Sequence, residues 1–304
     1  MTTERGETQV VGGVLVPTRD ASIFVERAGR GTPVLVLHGF TGTTRSLEPL
    51  ASSLEENHDV IRIDLIGHGR SGAPREVGPY AMERCVAQVV DVLDALGVDR
   101  THVLGYSMGG RVALALGCSD PERFASALLV GASAGLESTA LRSERGTADR
   151  ALADRIEREG LEAFVDHWMA LPLFATQRCL GEEALTAARA ERLQQRPLGL
   201  ANSLRGMGTG AQPPLHAHLA NLRAPVCLIA GELDAKFRAI AVDLASRLPN
   251  ARTALIGAAG HAAHLEKPED VLRIARDFFR EVDGTHVGTA PRIAPSPGPN
   301  PAAP

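Results

Sequence analysis

Lysine is almost missing from this chain. Of its 32 basic residues only Lys236 and Lys267 are lysines, and the rest are arginines. Codon bias accounts for most of that preference, so a single arginine carries little functional weight by itself. A strong charge of either sign is also lacking. The formal net charge of −4 argues against general nucleic-acid affinity, which needs a basic face. No apolar run reaches the roughly 18 residues of a membrane span, and no apolar h-region follows a basic start. Neither stable membrane insertion nor a signal peptide is therefore expected, and the cytoplasm is the expected compartment. Cys85, Cys118, Cys179 and Cys227 are far apart, with no C-x-x-C pair and no metal-finger spacing. Three of them sit in apolar helix or strand patterns and read as buried thiols in a reducing compartment.

What is present is an ordinary globular composition, 44% hydrophobic and 22% charged. A length of 304 residues accommodates one large α/β domain with an insertion, or two small domains. Residues 10–16 and 22–26 read as an initial antiparallel hairpin. Val34-Leu35-Val36-Leu37 is a continuous apolar run, as expected of a strand buried on both faces. Stretches 60–63, 101–105, 127–131, 226–230 and 253–256 continue that series. Between them lie helical patterns, the clearest over 81–96, where Met82, Val86, Val89, Val90, Leu93 and Leu96 recur at helical spacing and Gly97 suits the C-terminal cap. Such alternation predicts an α/β fold with a mostly parallel, doubly wound sheet.

The alternation breaks between about residues 132 and 214. That stretch holds charged amphipathic helices, such as 147–159 and 161–169, and no clear strand. An all-helical insertion is most simply a cap over the carboxyl ends of the strands, where such sheets bind ligands. The expected organisation is a core from 1–131 and 215–283, a helical cap over 132–214, and a disordered Pro/Gly/Ala-rich tail over 284–304.

The most informative stretch is Gly105-Tyr106-Ser107-Met108-Gly109-Gly110-Arg111. It follows a strand pattern and precedes a helical one. A strand, a Gly-x-Ser-x-Gly turn and a helix make a nucleophile elbow, which lifts a serine hydroxyl above the sheet. Its glycines suit a sharp turn that has no room for Cβ atoms. A serine hydroxyl becomes reactive when an imidazole takes its proton and a carboxylate orients the imidazole. In this architecture the chain order is serine, acid, histidine. Asp234 and His261 each follow a strand and fall on loops at the same sheet edge as Ser107. Glu232 is a rival acid and His264 a rival histidine. His264 reads better as the entry to the last helix, and Asp243 lies too far along its helix to reach the loop edge. The oxyanion hole should use the backbone N–H of Met108, with Phe40 in the loop His38-Gly39-Phe40-Thr41-Gly42 giving the second donor. His38 and His68 read as loop supports.

Arg111 is the unusual member of the elbow. It sits in the first turn of a helix, where the macrodipole disfavours a cation by about 0.3–1 kcal/mol. A surface salt bridge and an anion site beside Ser107 both explain it, and the residues alone do not choose.

The elbow heptapeptide, Gly231-Glu232-Leu233-Asp234-Ala235-Lys236-Phe237-Arg238-Ala239 and Gly260-His261-Ala262-Ala263-His264 together resemble the 2-succinyl-6-hydroxy-2,4-cyclohexadiene-1-carboxylate synthases of menaquinone biosynthesis. These belong to the α/β-hydrolase superfamily. Gly135-Leu136 leading to Leu141-Arg142-Ser143-Glu144-Arg145, and Asp166-His167-Trp168 leading to Leu173-Phe174-Ala175, agree with that resemblance, which runs from about Val34 to Phe279. It implies a lyase with no hydrolytic step. Such enzymes eliminate pyruvate from a cyclohexene bearing succinyl and enolpyruvyl groups. By that likeness Ser107 is the base, His261 receives its proton, and Asp234 fixes the imidazole. The resemblance implies no metal or organic cofactor. It further implies that Arg111, Arg145 and Arg192 meet the carboxylates of a small polycarboxylate substrate. Arg189 is a near alternative to Arg192. Tyr106, Trp168 and Lys236 match pocket positions. The stretch 132–214 is not basic overall, since its ten arginines are balanced by eleven acidic residues, so any positive field must be local. Oligomeric state has no sequence signal.

Overall fold

A computed structural model describes residues 13–287. Eight strands form one sheet: β1 (Val14–Pro17), β2 (Ser22–Gly29), β3 (Thr32–Leu37), β4 (His58–Ile63), β5 (Thr101–Tyr106), β6 (Phe124–Val130), β7 (Val226–Gly231) and β8 (Ala251–Ile256). Their order is β1-β2-β4-β3-β5-β6-β7-β8. The first two pairings are antiparallel and the other five parallel. The helices are α1 (Glu48–Ser52), α2 (Met82–Ala95), α3 (Met108–Ser119), α4 (Thr139–Met169), α5 (Glu182–Arg192), α6 (Pro197–Met207), α7 (Ala235–Arg247), α8 (Ala263–Glu266) and α9 (Pro268–Val287).

The apolar run in β3 is buried on both faces. Leu35 and Leu37 join one hydrophobic cluster, while Val34 and Val36 join the cluster on the opposite face. Period-two alternation of Cβ direction distributes one strand between two cores. The doubly wound α/β sheet expected from the alternation is what forms. Residues 10–12 of the expected hairpin lie outside the described residues. Cys85 and Cys227 are buried, but Cys118 is only half-buried.

Between β6 and β7 the chain contributes α4, a 3-10 segment over Pro172–Leu180, α5 and α6, with no strand. The two expected helices at 147–159 and 161–169 form one run that begins earlier, at Thr139, and changes direction at Gly160 (φ 83°, ψ 171°). That φ is open to glycine without a Cβ penalty. The helices build their own core from Ala153, Ile156, Phe164, Val165, Leu200, Ala201 and Leu204, and Phe40 of the sheet layer packs against it. At the other end, α9 continues to Val287. The first residues of the expected tail are therefore helical, while 288–304 lie outside the described residues.

Candidate active site

Ser107 joins β5 to α3 with φ 50° and ψ −105°, a left-handed backbone that a non-glycine residue holds only under constraint. The flanking glycines have a different task, close approach. A Cβ on Gly109 would meet Leu37 O at 2.1 Å, and one on Gly105 would meet the Gly110 Cα at 2.8 Å. Helix α3 thus lies directly on β5 and β3, and the strain is concentrated at Ser107.

The Ser107 hydroxyl donates to His261 Nε2 across 3.1 Å, and His261 Nδ1 donates to Asp234 Oδ2 across 2.9 Å. Asp234 is the N-cap of α7, and its other oxygen accepts the Phe237 N–H at 3.1 Å. Burial opposes ionisation of Asp234, but the hydrogen bonds from His261 and Phe237 outweigh it and hold its carboxyl below the usual range. The His261 ring sits among Phe237 at 4.3 Å, Tyr106 at 5.5 Å and Phe174 at 6.3 Å between centroids. Gly131 gives it room, since a Cβ there would lie 2.8 Å from the imidazole.

The rival residues are engaged elsewhere. Glu232 accepts the Ala258 N–H at 2.9 Å on the exposed side of the loop. His264 lies inside the short helix α8 against Tyr106, 4.2 Å between centroids, and burial drives its pKa down to about 3. Asp243 pairs with Arg247 one turn on. His38 accepts the Leu65 N–H at 2.9 Å and contacts Gly39 O at 2.7 Å, so it laces two loops together. His68 is fully buried, and burial lowers its pKa to about 3.

A cavity of about 260 Å³ opens onto this chain of groups. Ser107, His261, Phe40, Met108, Tyr106, Trp168, Lys236, Arg111 and Arg145 all line it. Arg111 is buried and donates to Met207 O and Gln212 Oε1, both at 2.7 Å. Burial first, and then the neighbouring positive charge of Arg145, bring its pKa down to about 10, which leaves it a cation at neutral pH. Arg145 donates to Asp149 at 2.7 Å.

Arg192 is placed differently from the expectation. It is not among the lining residues, because its side chain folds back along α5 to donate to Ala188 O at 2.8 Å. Arg189 points outward into ion pairs with Asp166 and Glu162. Ser133, Leu173, Thr209 and Phe237 also line the cavity. Phe237 directly follows Lys236 in the segment after Asp234, which is a sequence signal for it, whereas Ser133 and Thr209 carry none. Among the described residues, no cluster of His, Cys, Asp or Glu could hold a metal ion, and no helix is long and apolar enough to cross a membrane.

The sheet, the elbow and the aligned serine, histidine and aspartate define a protein of the α/β-hydrolase class. The model of the alpha/beta hydrolase fold family matches residues 32–268. A Bacillus subtilis (strain 168) protein provisionally named 2-succinyl-6-hydroxy-2,4-cyclohexadiene-1-carboxylate synthase is 40% identical over 249 residues, covering 82% of this chain and 90% of its own. A Salmonella newport (strain SL254) protein of that name is 35% identical over 253 residues, covering 82% and 95%. Among solved structures, MenH from S. aureus superposes with a TM-score of 0.81 at 32% identity, over 86% of this chain and 98% of that one. The chain belongs to the 2-succinyl-6-hydroxy-2,4-cyclohexadiene-1-carboxylate synthase family within that class.

Proposed function

We propose that this protein eliminates pyruvate from 2-succinyl-5-enolpyruvyl-6-hydroxy-3-cyclohexene-1-carboxylate, giving 2-succinyl-6-hydroxy-2,4-cyclohexadiene-1-carboxylate. Ser107, relayed to His261 and Asp234, removes the ring proton next to the succinyl carbonyl. The electron pair forms the enolate and then the new ring double bond. The existing ring double bond shifts, and the enolpyruvyl C–O bond breaks. The departing pyruvate enolate takes up a proton, so the reaction needs no water and no acyl-enzyme. The backbone N–H groups of Phe40 and Met108 serve the enolate oxygen, where charge develops only along the reaction.

The observation that carries this reading is Arg111. A buried cation whose hydrogen bonds go to neutral acceptors, on the cavity that Ser107 faces, suits a carboxylate ligand and gives an ester pocket no advantage. Arg145 supplies a second positive charge, and Lys236 a third, on the same cavity. Trp168 and Tyr106 supply apolar walls. Arg192 joins this set only if its side chain swings off Ala188 O. The stretch 132–214 acts as a cap over a hydrolase-type core, and the enzyme works in the cytoplasm on a small polycarboxylate.

The aligned hydroxyl, imidazole and carboxylate also suit a serine hydrolase of esters or C–C bonds. One assay separates the two readings. The enzymatically made precursor is supplied and pyruvate is followed. Stoichiometric pyruvate supports the synthase, whereas rapid cleavage of aryl esters with no pyruvate ends it.

A further inference from the structure

Gln195 lies in the turn between α5 and α6 and is 4% exposed. Its carboxamide nitrogen donates to Thr41 O and to Gly42 O, each at 3.1 Å, and its oxygen accepts the Gly69 N–H at 2.9 Å. The opposite amide orientation would set oxygen against two carbonyls and NH2 against an N–H, so the partners fix the assignment. One side chain from the helical stretch therefore joins two loops of the sheet layer.

The loop it holds is strained. Thr41 has φ 66°, the left-handed region that a β-branched residue rarely enters. Such a conformation persists where the surroundings over-determine it. The sheet layer secures the loop around its tip, through the Leu65 N–H to His38, Gly42 N–H to Gly39 O at 3.0 Å and Thr44 N–H to Asp64 at 2.6 Å. At the tip, the carbonyls of Thr41 and Gly42 are taken by Gln195. Close by, Glu191 in the last turn of α5 accepts from the Thr43 hydroxyl at 2.7 Å and the Ser46 hydroxyl at 3.1 Å.

We propose that Gln195 is a positioning residue for the oxyanion donor at Phe40, so that seating of the helical stretch sets the geometry of the hole. The proposal rests on the reading of the Phe40 N–H as an oxyanion donor. Rotation at Thr41 turns the backbone that carries Phe40, and the Gln195 carboxamide blocks that rotation. The hole is then complete only when α5 and α6 are docked.

The test uses the full chain with Gln195→Glu and Gln195→Ala. Burial and the two facing carbonyls raise the introduced carboxyl above its ordinary value of about 4.3. The ionised form that dominates at about pH 8 sets negative charge against those carbonyls, while the protonated fraction, which grows toward about pH 5.5, donates one O–H to them. For Gln195→Glu the expected result is a kcat deficit of roughly 10- to 100-fold at the higher pH, on the scale of a displaced catalytic group. That deficit should shrink, relative to wild type at each pH, as pH falls, with KM nearly constant. For Gln195→Ala, amide hydrogen exchange should quicken in residues 39–44 and stay unchanged in the turn around Ser107. Wild-type kcat in a folded variant overturns the proposal, as does a loss confined to KM. If Gln195→Ala does not fold, the pH profile of Gln195→Glu decides. If the wild-type chain releases no pyruvate but cleaves aryl esters, the proposed function fails while the same profiles, read with the ester, still judge Gln195. If it does neither, the exchange rates decide.

Discussion

The Arg111 guanidinium donates to the Gln212 carboxamide oxygen across 2.7 Å, and these residues stand 101 positions apart in the chain. A neutral acceptor orients the arginine without cancelling its charge. The nearby carboxylate of Asp149 is already engaged by Arg145 and by the Gly210 N–H. The positive charge is thus left for whatever enters the cavity.

Replacing Arg111 with methionine keeps much of the volume and removes the charge. The expected loss in kcat/KM for the polycarboxylate substrate is about 10- to 150-fold, the range for a hydrogen bond to a charged group of about 1.5–3 kcal/mol. Thermal stability should change little, since relief of the buried cation's desolvation is offset by the loss of the donor to Met207 O and Gln212 Oε1. Unchanged steady-state kinetics would remove Arg111 from the site.

Ser107 trades stability for its position. Its φ of 50° is relieved by glycine, and backbone strain of this kind costs about 1–3 kcal/mol. Ser107→Gly should therefore abolish pyruvate release while melting no lower than Ser107→Ala, and by the strain argument higher. A glycine variant less stable than the alanine variant would show that the turn is not strained.

Glu266 braces the loop that carries His261. It is buried and accepts the Gly260 N–H at 2.8 Å and the Thr176 hydroxyl at 3.0 Å. Glu266→Ala should cost about 1–3 kcal/mol through unsatisfied donors and lower kcat more than it raises KM. Glu266→Gln retains an acceptor for Gly260 and should recover most of both losses. Equal damage from the two variants, measured by urea melts and turnover, would contradict this role.

Acid should weaken the fold in a defined window. His68 and His264 are both buried, with pKa values brought from 6.5 to about 3. Between those limits the unfolded chain binds protons that the folded chain refuses. Stability therefore falls as pH drops below the ordinary histidine value, by up to about 1.4 kcal/mol per pH unit for each residue. His264→Phe should flatten the slope of stability against pH by about one proton over this range. A variant with the wild-type slope would show that His264 already takes up a proton in the native state.

The helix-strand alternation, the glycines around Ser107 and the order serine, acid, histidine were legible because each is a local or periodic signal. A continuous apolar run such as Val34-Leu35-Val36-Leu37 carries its two-sided burial with it. The arginines were not legible in that way. Arg145 and Arg192 lie on helices of the same stretch, yet one lines the cavity and the other folds back onto Ala188 O. Arg189, three residues earlier, meets Asp166 and Glu162 instead. Which way a long, flexible cation turns depends on which acceptors the fold brings within reach.

The sequence by itself determined the architecture and the identity of the serine, since both follow from backbone sterics and hydrophobic period. Only the tertiary structure decided that Arg145 lines the cavity while Arg192 folds back onto Ala188 O, and that Gln195 and Gln212 hold Phe40's loop and Arg111. The Gln195 contact with Thr41 joins residues 154 positions apart. A carboxamide leaves no periodic trace in a sequence, and its partners exist only once the chain has folded around it.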